Sequence, residues 1–398
     1  MKQTFDLVIV GGAMTGSVLA LALSSATKQK MKIAIVEKTQ ANYAEQGGFD
    51  ARSIALAYGS LQKMAKIQPL AQRNLADLVR EIATPIQHIQ VSDQGHFGKT
   101  HLDAKELGLT ELGVVVELAK LGVMLNQLLE QHQNISLFCP DNIQQLTRHQ
   151  DYCDIQLASG IQLHSQLIVA ADGIQSQLAK QCGVETLIVK DYQQSAIIAN
   201  VELSEAHQCH AFERFTTQGP FALLPLTEKT MSLVWCVNDP TPQMAMDDST
   251  FLAQLQQQFG WKLGKFKRVS KRFVYPLSSQ KAESHIHHRL AIVGNAAQLL
   301  HPVAGQGFNL GMRDLFELST LVSQAFLAGQ DLGDSELLNR FENARQDDQQ
   351  RIMQSTSGLI SVFCCEFLPI QILRNLALIG LNHSQLARNQ IAHRALGW

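Results

Sequence analysis

The sequence has no marked excess of charge of either sign. Its 398 residues include 33 Lys and Arg against 35 Asp and Glu, which gives a formal net charge of -2. Proteins that bind nucleic acid concentrate positive charge on one face or along one helix, and the sequence contains no such cluster of Lys and Arg. The composition therefore argues against nucleic acid as a partner.

Cysteine gives no sign of disulfides or of a metal site. The seven cysteines are scattered and odd in number, and they contain no C-x-x-C pair. This usage is typical of a reducing compartment, where thiols pack in the core. The N-terminus also lacks a basic segment followed by an apolar run and a cleavage site, because FDLVIV passes directly into a glycine turn. We therefore expect a cytoplasmic protein without a bound metal.

Long apolar runs that would suit a bilayer are missing as well. The stretch 290–312 is uncharged, but its glycines, amides and Pro302 would leave backbone groups unsatisfied in lipid. The apolar stretch 357–381 is interrupted by Glu366, Pro369 and Arg374. It indicates helices that pack together or touch a surface, so we expect no membrane span and leave peripheral contact with the inner membrane open.

The N-terminal segment has the pattern of a strand, a helix and a second strand. An apolar run at 5–10 is followed by GGAMTG, by a segment with helical apolar spacing, and by KIAIVE, which ends at Glu37. This order predicts parallel pairing of the two strands. Two later apolar runs, LHSQLIVAADG and HHRLAIVGNAAQ, also end in glycine turns.

Residues 196–275 have a different pattern. The runs AIIANVEL, HAFERFT, FALLPL, MSLVWCV and RFVYPL alternate with turn residues, as in an antiparallel sheet, and PIQHIQVSD with its turn is expected to extend it. We predict an α/β fold with a Rossmann-like nucleotide-binding domain (1–75, 101–185 and 281–330), an inserted antiparallel sheet (76–100 and 186–280) and a helical C-terminus (331–398). A ligand should lie at the carboxyl edge of the parallel strands.

GGAMTG occupies the place of a dinucleotide fingerprint. Gly11 permits a tight turn with Gly12, Gly16 permits close packing of helix on strand, and the helix N-terminus attracts pyrophosphate. Glu37, 26 positions after Gly11, can accept a hydrogen bond from a ribose hydroxyl. Ala13 replaces the middle glycine of the full pattern. A plain strand-to-helix turn is the structural alternative.

Three motifs occur in an order that resembles the class A flavoprotein monooxygenases. These are GGAMTG, ADGIQSQLAK at 171–180 and GNAAQLLHPVAGQGFNLGMRD at 294–314. Within that family the segments GGFDARSIALAYGS, VVVEL, AFERFTTQGPFALLPL and SLVWC look like those of the ubiquinone-biosynthesis hydroxylases, in particular the branch that acts on prenylated 6-methoxyphenols. The resemblance runs from the first strand to the terminal LGW, and it implies a fold like that of para-hydroxybenzoate hydroxylase.

The resemblance implies FAD as the cofactor. Glu37 would bind the adenosine ribose, Arg52 would lie near the diphosphate or the ring, and Asn295, where the family usually has Asp, would hydrogen-bond the ribityl chain. Pro302 would border the ring, and backbone N–H groups of the following helix would face its pyrimidine edge, which becomes negative on reduction. The implied cofactor-binding residues are Gly11, Gly12, Ala13, Gly16, Glu37, Arg52, Asp172, Gly294, Asn295, Gly305, Gln306, Gly307, Phe308 and Asn309.

Two departures from the family pattern concern the docking of the electron donor and the loop at 294–314. The Arg usually found three residues beyond Ser176 is Ala179, which leaves the docking of NADH or NADPH open. Gln298 stands where the family usually has His. For Asp172, a role as a simple strand-end turn residue is the structural alternative.

The implied reaction is a monooxygenation. NADH or NADPH reduces FAD, O2 gives a flavin C4a-hydroperoxide, and one oxygen atom passes to the ring of a prenylated phenol, so that the cofactor carries the chemistry. Arg214 is the candidate for contacting the substrate, together with the strand faces around Phe212, Leu223 and Trp235, although alternate strand residues face opposite ways. His301, beside Pro302, is a further catalytic candidate. A histidine with a purely structural role is the alternative.

Two alternatives from other classes stay open. One is another FAD oxidoreductase, a dehydrogenase or a prenyl reductase that works without O2. The other is a flavin-free scaffold for other ubiquinone-biosynthesis proteins, which Ala13, Ala179 and Asn295 make worth testing. An apolar prenyl tail would give the C-terminal helices a role in shielding the tail, in touching the membrane surface, or in packing against a second copy or another ubiquinone-biosynthesis protein.

Overall fold

A computed structural model describes residues 2–40, 52–365 and 367–397. Part of the segment GGFDARSIALAYGS, at 47–51, lies outside the described residues. Strands β1 to β11 are, in chain order, Lys2–Thr4, Leu7–Val10, Ile33–Val36, Ser53–Ala57, Ala83–Ile86, His88–Asp93, Lys99–Asp103, Gly113–Glu117, Ile135–Phe138, Ile143–Arg148 and Cys153–Leu157. Strands β12 to β22 are Gln162–Ser165, Leu167–Ala170, Thr186–Leu203, His210–Thr216, Gly219–Thr227, Thr230–Val237, Phe266–Val269, Phe273–Ala282, Ile286–His287, Leu290–Ile292 and Gln298–Leu299.

The helices are distributed over the whole chain and dominate its C-terminal part. Helices α1 to α11 are, in chain order, Met14–Ala26, Tyr58–Met64, Leu75–Ile82, Leu118–Glu130, Gln177–Gln181, Thr241–Ala245, Asp248–Phe259, Gln306–Leu327, Ser335–Phe363, Leu368–His383 and Gln385–Leu396.

A six-stranded sheet in the order β20-β21-β13-β2-β3-β9 forms the nucleotide-binding part. Strands β21, β13, β2, β3 and β9 pair in parallel, and β20 adds an antiparallel edge. Apolar side chains from α1, α4 and α8 cover one face, and α5 with the four-stranded sheet β1-β12-β11-β10 covers the other. Coverage on both faces explains the continuous apolar runs in β2, β3 and β13. The predicted Rossmann-like α/β fold is confirmed.

The second large sheet contains the runs that were predicted as antiparallel strands. Its order is β22-β19-β14-β17-β16-β15-β6-β7, with β18 beside β14. Most neighbours are antiparallel, but β6 pairs with β15 in parallel. Within the segment predicted as 76–100, α3 and β5 come first, and strands of this sheet begin only at β6. The division into six segments stays a prediction.

A buried carboxylate joins α8, α9 and the loop that precedes α8. Asp314 Oδ1 accepts a hydrogen bond from Arg345 Nε at 2.7 Å, and Oδ2 accepts from the Gly294 N–H at 3.1 Å and from the Gln298 side-chain amide. Gln298 Oε1 in turn accepts from Gln349 Nε2 at 2.7 Å. All these polar side chains are buried. The network therefore fixes the loop against α8, which follows it directly, and against α9 further along the chain.

The C-terminal helices are anchored by a second buried ion pair. Arg374 on α10 donates to Asp93 on β6, with Nε to Oδ2 at 2.8 Å. Its Nη1 also donates to the carbonyl oxygens of Val362, Phe363 and Cys365 at the end of α9. One guanidinium thus caps α9 and attaches α10 to the large sheet.

Within residues 2–40, 52–365 and 367–397, no single helix is both long and apolar enough to cross a membrane. Helices α9 and α10 meet the test only as a pair, by length and composition, and are bent by 116° at their junction.

The Asp314 network generates a stability prediction. Arg345→Met keeps most of the side-chain volume but leaves a buried carboxylate without its charged partner. We expect the free energy of unfolding, measured by urea titration, to fall by about 3–5 kcal/mol. Arg340→Met, at an exposed position of α9, is the matched control and should change it by less than about 0.5 kcal/mol. Equal effects of the two substitutions would contradict this account of the network.

Candidate functional site

A cleft of about 690 Å³ opens at the carboxyl edge of β2, β3 and β13. This is the edge at which ligands bind to open parallel sheets. The cleft brings together six of the residues predicted for cofactor binding, although they come from three separate parts of the chain: Gly11, Ala13, Glu37, Asp172, Asn295 and Phe308.

The turn between β2 and α1 has no room for side chains at two of its glycines. A Cβ at Gly11, where φ is +104°, would lie 2.3 Å from the carbonyl oxygen of Ala171. A Cβ at Gly16 would lie 1.9 Å from the carbonyl oxygen of Gly11. The turn after β2 therefore lies against the end of β13, and the first turn of α1 lies against Gly11, as closely as the fingerprint interpretation requires.

Glu37 is held at the rim of the cleft by backbone donors. Its Oε2 accepts from the Gly12 N–H at 2.7 Å, and its Oε1 accepts from the Thr39 N–H at 3.0 Å. Ala13 is exposed and precedes α1 without a side-chain cap. The first N–H groups of α1 are therefore available to an anion in the cleft.

Asp172 serves the turn after β13 as well as lining the cleft. Its Oδ1 accepts from the Ser176 hydroxyl, and its Oδ2 accepts from the Leu178 N–H at 3.2 Å. Ser176 also caps α5 by accepting from the Ala179 N–H at 3.0 Å. This arrangement favours the turn-forming interpretation of Asp172. A cofactor contact by Asp172 stays a prediction.

The loop after β21 is packed against the first turn of α1. At Gly294, with φ of +65°, a Cβ would lie 2.9 Å from Thr15 Cγ2. A Cβ at Gly311 of α8 would lie 2.9 Å from Gly294 Cα. Asn295 is exposed in the cleft, and its amide forms no hydrogen bond with the described part of the chain. Gln298 belongs to the Asp314 network instead of the cleft.

The start of α8 offers a second set of backbone donors. Pro302 precedes a single turn of 3-10 helix, Gly305 adopts φ of +60°, and α8 begins at Gln306 without a side-chain cap. A Cβ at Gly307 would meet no atom within 4 Å, so the backbone there faces open space. Two uncapped helix N-termini, α1 and α8, thus flank one cleft, and this arrangement fits a dinucleotide with a reducible ring.

Asn309 has a structural role that the sequence did not reveal. Its Oδ1 accepts from the Ala57 N–H and the Ser60 hydroxyl, both at 2.8 Å. Its Nδ2 donates to the carbonyl oxygens of Ala55 and Gly305 at 3.0 and 2.7 Å. The Asn309 side chain therefore fixes the start of α8 to β4 and α2, and leaves only its backbone for the predicted cofactor contact.

Arg52 lies apart from the residues that line the cleft. Its guanidinium is exposed, and Nη1 donates to the Tyr275 hydroxyl at 3.1 Å. That contact joins β19 of the large sheet to the segment before β4. The predicted place of Arg52 near the diphosphate or ring stays a prediction.

Arg214, which was predicted to contact the substrate, lies on the face of the large sheet that packs against α7. Directly paired residues share a sheet face, and Arg214 pairs with Phe221, which pairs with Trp235. The guanidinium donates to the carbonyl oxygen of Phe259 at the end of α7, at 2.8 Å. Arg214 therefore faces α7. Burial lowers its pKa below the ordinary value.

The other predicted substrate positions face the same way. Phe212, Leu223 and Trp235 all belong to the core beneath α7. A substrate contact of these residues stays a prediction, since alternate strand residues face opposite ways and the sequence does not mark one face as functional.

The opposite face of the sheet is the one that meets the cofactor loop. Its central row consists of Glu213, Ala222, Val234 and Ile198, which pair in succession across four strands. All four are only half-buried. On the same strand and face as Glu213, Phe215 packs in one cluster with Val303 of the loop. This row was missed, since nothing in the sequence marks one strand face as the functional one.

His301 is buried within that junction. Its Nδ1 accepts from the Val303 N–H at 3.3 Å, and its ring meets the edge of the Tyr192 ring at 4.8 Å. Burial, and secondarily the charge of Lys190, lowers the pKa of His301 from 6.5 to about 4. These contacts favour a structural histidine that supports the turn after Pro302, and a direct catalytic role stays a prediction.

Some residues of the cleft escaped the sequence prediction. Asp141, Asn142, Lys38 and Gln175 also line it. Asp141 and Asn142 follow β9, a parallel strand that the sequence did not predict because its ISLF run is short and half-buried. Polar residues directly after an apolar run were the available signal.

Comparisons with known proteins agree with the geometry. Residues 4–356 match the FAD binding domain family. The ubiquinone hydroxylase UbiL of Rhodospirillum rubrum is 31% identical over 394 residues, which cover 98% of this chain and 89% of that protein. The 3-demethoxyubiquinol 3-hydroxylase of Escherichia coli strain K12 is 30% identical over 404 residues, which cover 100% of this chain and 99% of that protein.

A solved structure shows the same fold at low identity. The p-nitrophenol 4-monooxygenase PnpA of Pseudomonas putida superposes with a TM-score of 0.80, at 15% identity and with 99% of both chains covered. The family resemblance found in the sequence is confirmed by the curated relatives. The chain therefore belongs to the FAD binding domain family and, within it, to the FAD-dependent aromatic hydroxylases of ubiquinone biosynthesis.

Proposed function

We propose that this protein hydroxylates the ring of a polyprenyl methoxyphenol, with NADH or NADPH as electron donor and O2 as co-substrate. The observation that carries the substrate class is the half-buried apolar part of the row at Ala222, Val234 and Ile198, which lies on the sheet face where Phe215 packs with Val303 of the loop. A flat, apolar ring is the ligand that such a surface suits.

FAD, when bound and reduced, would activate O2, from which one oxygen atom passes to the substrate ring. The chain's own residues would bind and orient the cofactor. The N-terminus of α1 would bind the pyrophosphate, Glu37 and Asn295 would accept hydrogen bonds from sugar hydroxyls, and the N-terminus of α8 would stabilise the negative charge of the reduced ring. The apolar strand row excludes water from the reacting ring.

The proposed place of the reaction is the cytoplasmic surface of the inner membrane. A polyprenyl tail partitions into lipid at about 0.8 kcal/mol for each buried CH₂ group, so the substrate is available there and scarce in water. We assign the membrane surface, in preference to a second copy or another ubiquinone-biosynthesis protein, as the neighbour of the C-terminal helices.

The direct test incubates FAD-loaded protein with NADH or NADPH, O2 and a polyprenyl 6-methoxyphenol. Mass analysis should show one added oxygen atom, with O2 consumption coupled to product. In Ala222→Trp, a large side chain fills the proposed ring site, and kcat/KM should fall by at least about a hundredfold while FAD affinity is kept. Ala245→Trp, at an exposed position of α6, should leave both values unchanged.

Other outcomes of this assay identify the alternatives. Flavin reoxidation by the phenol without O2 consumption would show a dehydrogenase or reductase. Purified protein that takes up no FAD would show a scaffold. Full activity of Ala222→Trp would refute the assigned sheet face and leave the reaction itself standing.

A second prediction concerns Asn295. Asn295→Ala removes an amide that lines the cleft, and FAD affinity, measured by fluorescence titration, should fall roughly tenfold, the effect of one lost hydrogen bond. Asn295→Asp keeps an acceptor of the same shape and should retain affinity within about threefold. Unchanged affinity in Asn295→Ala would remove this residue from the cofactor site.

A third prediction follows from the buried imidazole of His301. Its pKa is about 4 in the folded chain, whereas the ordinary value of 6.5 applies to the unfolded chain. The unfolded chain therefore binds the proton more tightly. The stability contributed by the neutral ring is complete above pH 6.5 and is lost as pH falls toward 4. Between pH 8 and pH 5 the loss should be about 2 kcal/mol.

The measurement is the free energy of unfolding by urea at the two pH values. His301→Asn keeps an acceptor for the Val303 N–H but does not titrate, so its loss on acidification should be smaller than that of the wild type by that amount. His383→Asn, at an exposed position of α10, is the control. An identical pH dependence in wild type and His301→Asn would refute the prediction.

A further inference from the structure

Helix α10 presents an apolar face to solvent. Leu368, Ile372, Leu373 and Leu376 are between 52 and 65% exposed, whereas Arg374 and Leu378 on the other side of the helix are buried. These exposed side chains recur at helical spacing and form one stripe. Phe367, directly before α10, extends the stripe. A contiguous apolar surface of this kind marks an interaction site.

The turn between β6 and β7 adds a further aromatic side chain to this surface. Phe97 is 94% exposed. The neighbouring Gly98 N–H donates to Asn375 Oδ1 on α10 at 2.8 Å, and Asn375 Nδ2 donates to Asp93 Oδ2 at 2.8 Å. The hairpin tip is thereby fixed beside α10, so Phe97 and the stripe belong to one surface, which we name the α10 face.

The chain from α10 to the C-terminus contains no acidic side chain. Residues 367–398 contain three arginines and no Asp, Glu or Lys, and Glu366 directly precedes them. Two of these arginines are paired inside the protein, Arg374 with Asp93 and Arg388 with Glu106. The α10 helix therefore brings no carboxylate of its own that would repel an anionic surface.

A cationic cleft of about 460 Å³ adjoins the C-terminal end of α10. Lys99, Lys262, His88, His101 and His210 contribute to its lining, as does Asn382 of α10. His101 Nδ1 and Asn382 Oδ1 are hydrogen-bonded at 2.8 Å, so the cleft and the α10 face share this helix. We name it the lysine cleft.

The lysine cleft has more positive than negative charge. Its carboxylate, Asp103, contacts His88 Nδ1 at 2.8 Å. Lys99 and Lys262 are both exposed and form no ion pair with the described residues. The ammonium of Lys262 lies over the Phe212 ring, and this partial desolvation, with secondary repulsion by Lys99, lowers the pKa of Lys262. An anion between the two lysines would remove that repulsion.

We propose that the α10 face lies on a bilayer of anionic phospholipid, with the phosphate of one headgroup in the lysine cleft. The stripe and Phe97 enter the boundary between headgroups and acyl chains, as in helices that lie in the membrane plane. Lys99 and Lys262 contact the negative headgroups above it. The assignment deepens the proposed function, on which its biological sense rests, by naming the surface through which the enzyme meets a lipid-dissolved substrate.

The test is co-sedimentation of full-length, FAD-loaded protein with vesicles of phosphatidylcholine, with and without phosphatidylglycerol. We expect binding to the vesicles with phosphatidylglycerol, weakened by added salt. Leu373→Glu and, separately, Phe97→Ser should each weaken binding at least about tenfold. Lys99→Glu should weaken it about fivefold or more on anionic vesicles and have no effect on neutral ones.

Matched controls lie on other surfaces of the same protein. Leu327→Glu replaces a leucine that is 62% exposed on α8, and Lys30→Glu replaces an exposed lysine after α1; neither should change vesicle binding. Phe97→Ser alters an exposed turn residue, so it keeps the test valid if Leu373→Glu fails to fold.

Several results would overturn the assignment. These are no vesicle binding, equal binding to neutral and anionic vesicles, or equal losses in test and control variants. If the protein does not bind vesicles but forms a dimer that Leu373→Glu abolishes, a second copy covers the α10 face. Binding of inorganic phosphate in the lysine cleft, without binding of vesicles, would show a site for a soluble phosphate. Because the readout is binding, a protein that binds vesicles but hydroxylates no phenol would refute only the proposed function.

Discussion

The carboxylate of Asp314 is fully buried, and the site depends on how its charge is compensated. A carboxylate in the interior is stable only where donors replace water. Here the donors are the Gly294 N–H, the Gln298 amide and the Arg345 guanidinium. They belong to the start of a loop, to its middle and to α9. The path of the loop past Asn295 is therefore set by the need to satisfy one acid.

The two faces of the large sheet differ in how completely they are buried. The face beneath α7 is filled with aromatic and aliphatic side chains and is almost completely buried. The face that carries Ala222 and Val234 is only partly covered. Since successive residues of a strand point to opposite sides, the same strands supply a buried core on one face and a half-buried, mainly apolar row on the other. The rigidity of one face fixes the shape of the other.

The sequence predicted local features better than distant pairings. Gly11 and Gly16 were recognised because the turn between a strand and a helix limits the space at fixed positions, and the limit is visible in the spacing alone. The partners of Gln298 could not be recognised, since Gln349 is 51 positions further along the chain and no periodic pattern links the two. The packing of Arg214 against α7 could not be recognised either, because the sequence does not show which of the two alternating strand faces is covered by a helix. The ion pair of Arg374 with Asp93 could not be recognised either, because Arg374 stands in an apolar stretch and Asp93 lies 281 positions away in the sequence.

The contact of Gly294 with both Thr15 and Gly311 also bears on the cost of ligand binding. Because neither α1 nor α8 has clearance to slide past this glycine, their N-termini are kept at a constant separation before any ligand arrives. A cofactor whose charged ends are a set distance apart then meets donors that are already at that distance. Little conformational entropy is lost when it binds, so more of the interaction energy is retained as affinity. The absence of a side chain at Gly294 lets α1 and α8 pack closely, and this packing preorganises both ends of the cleft.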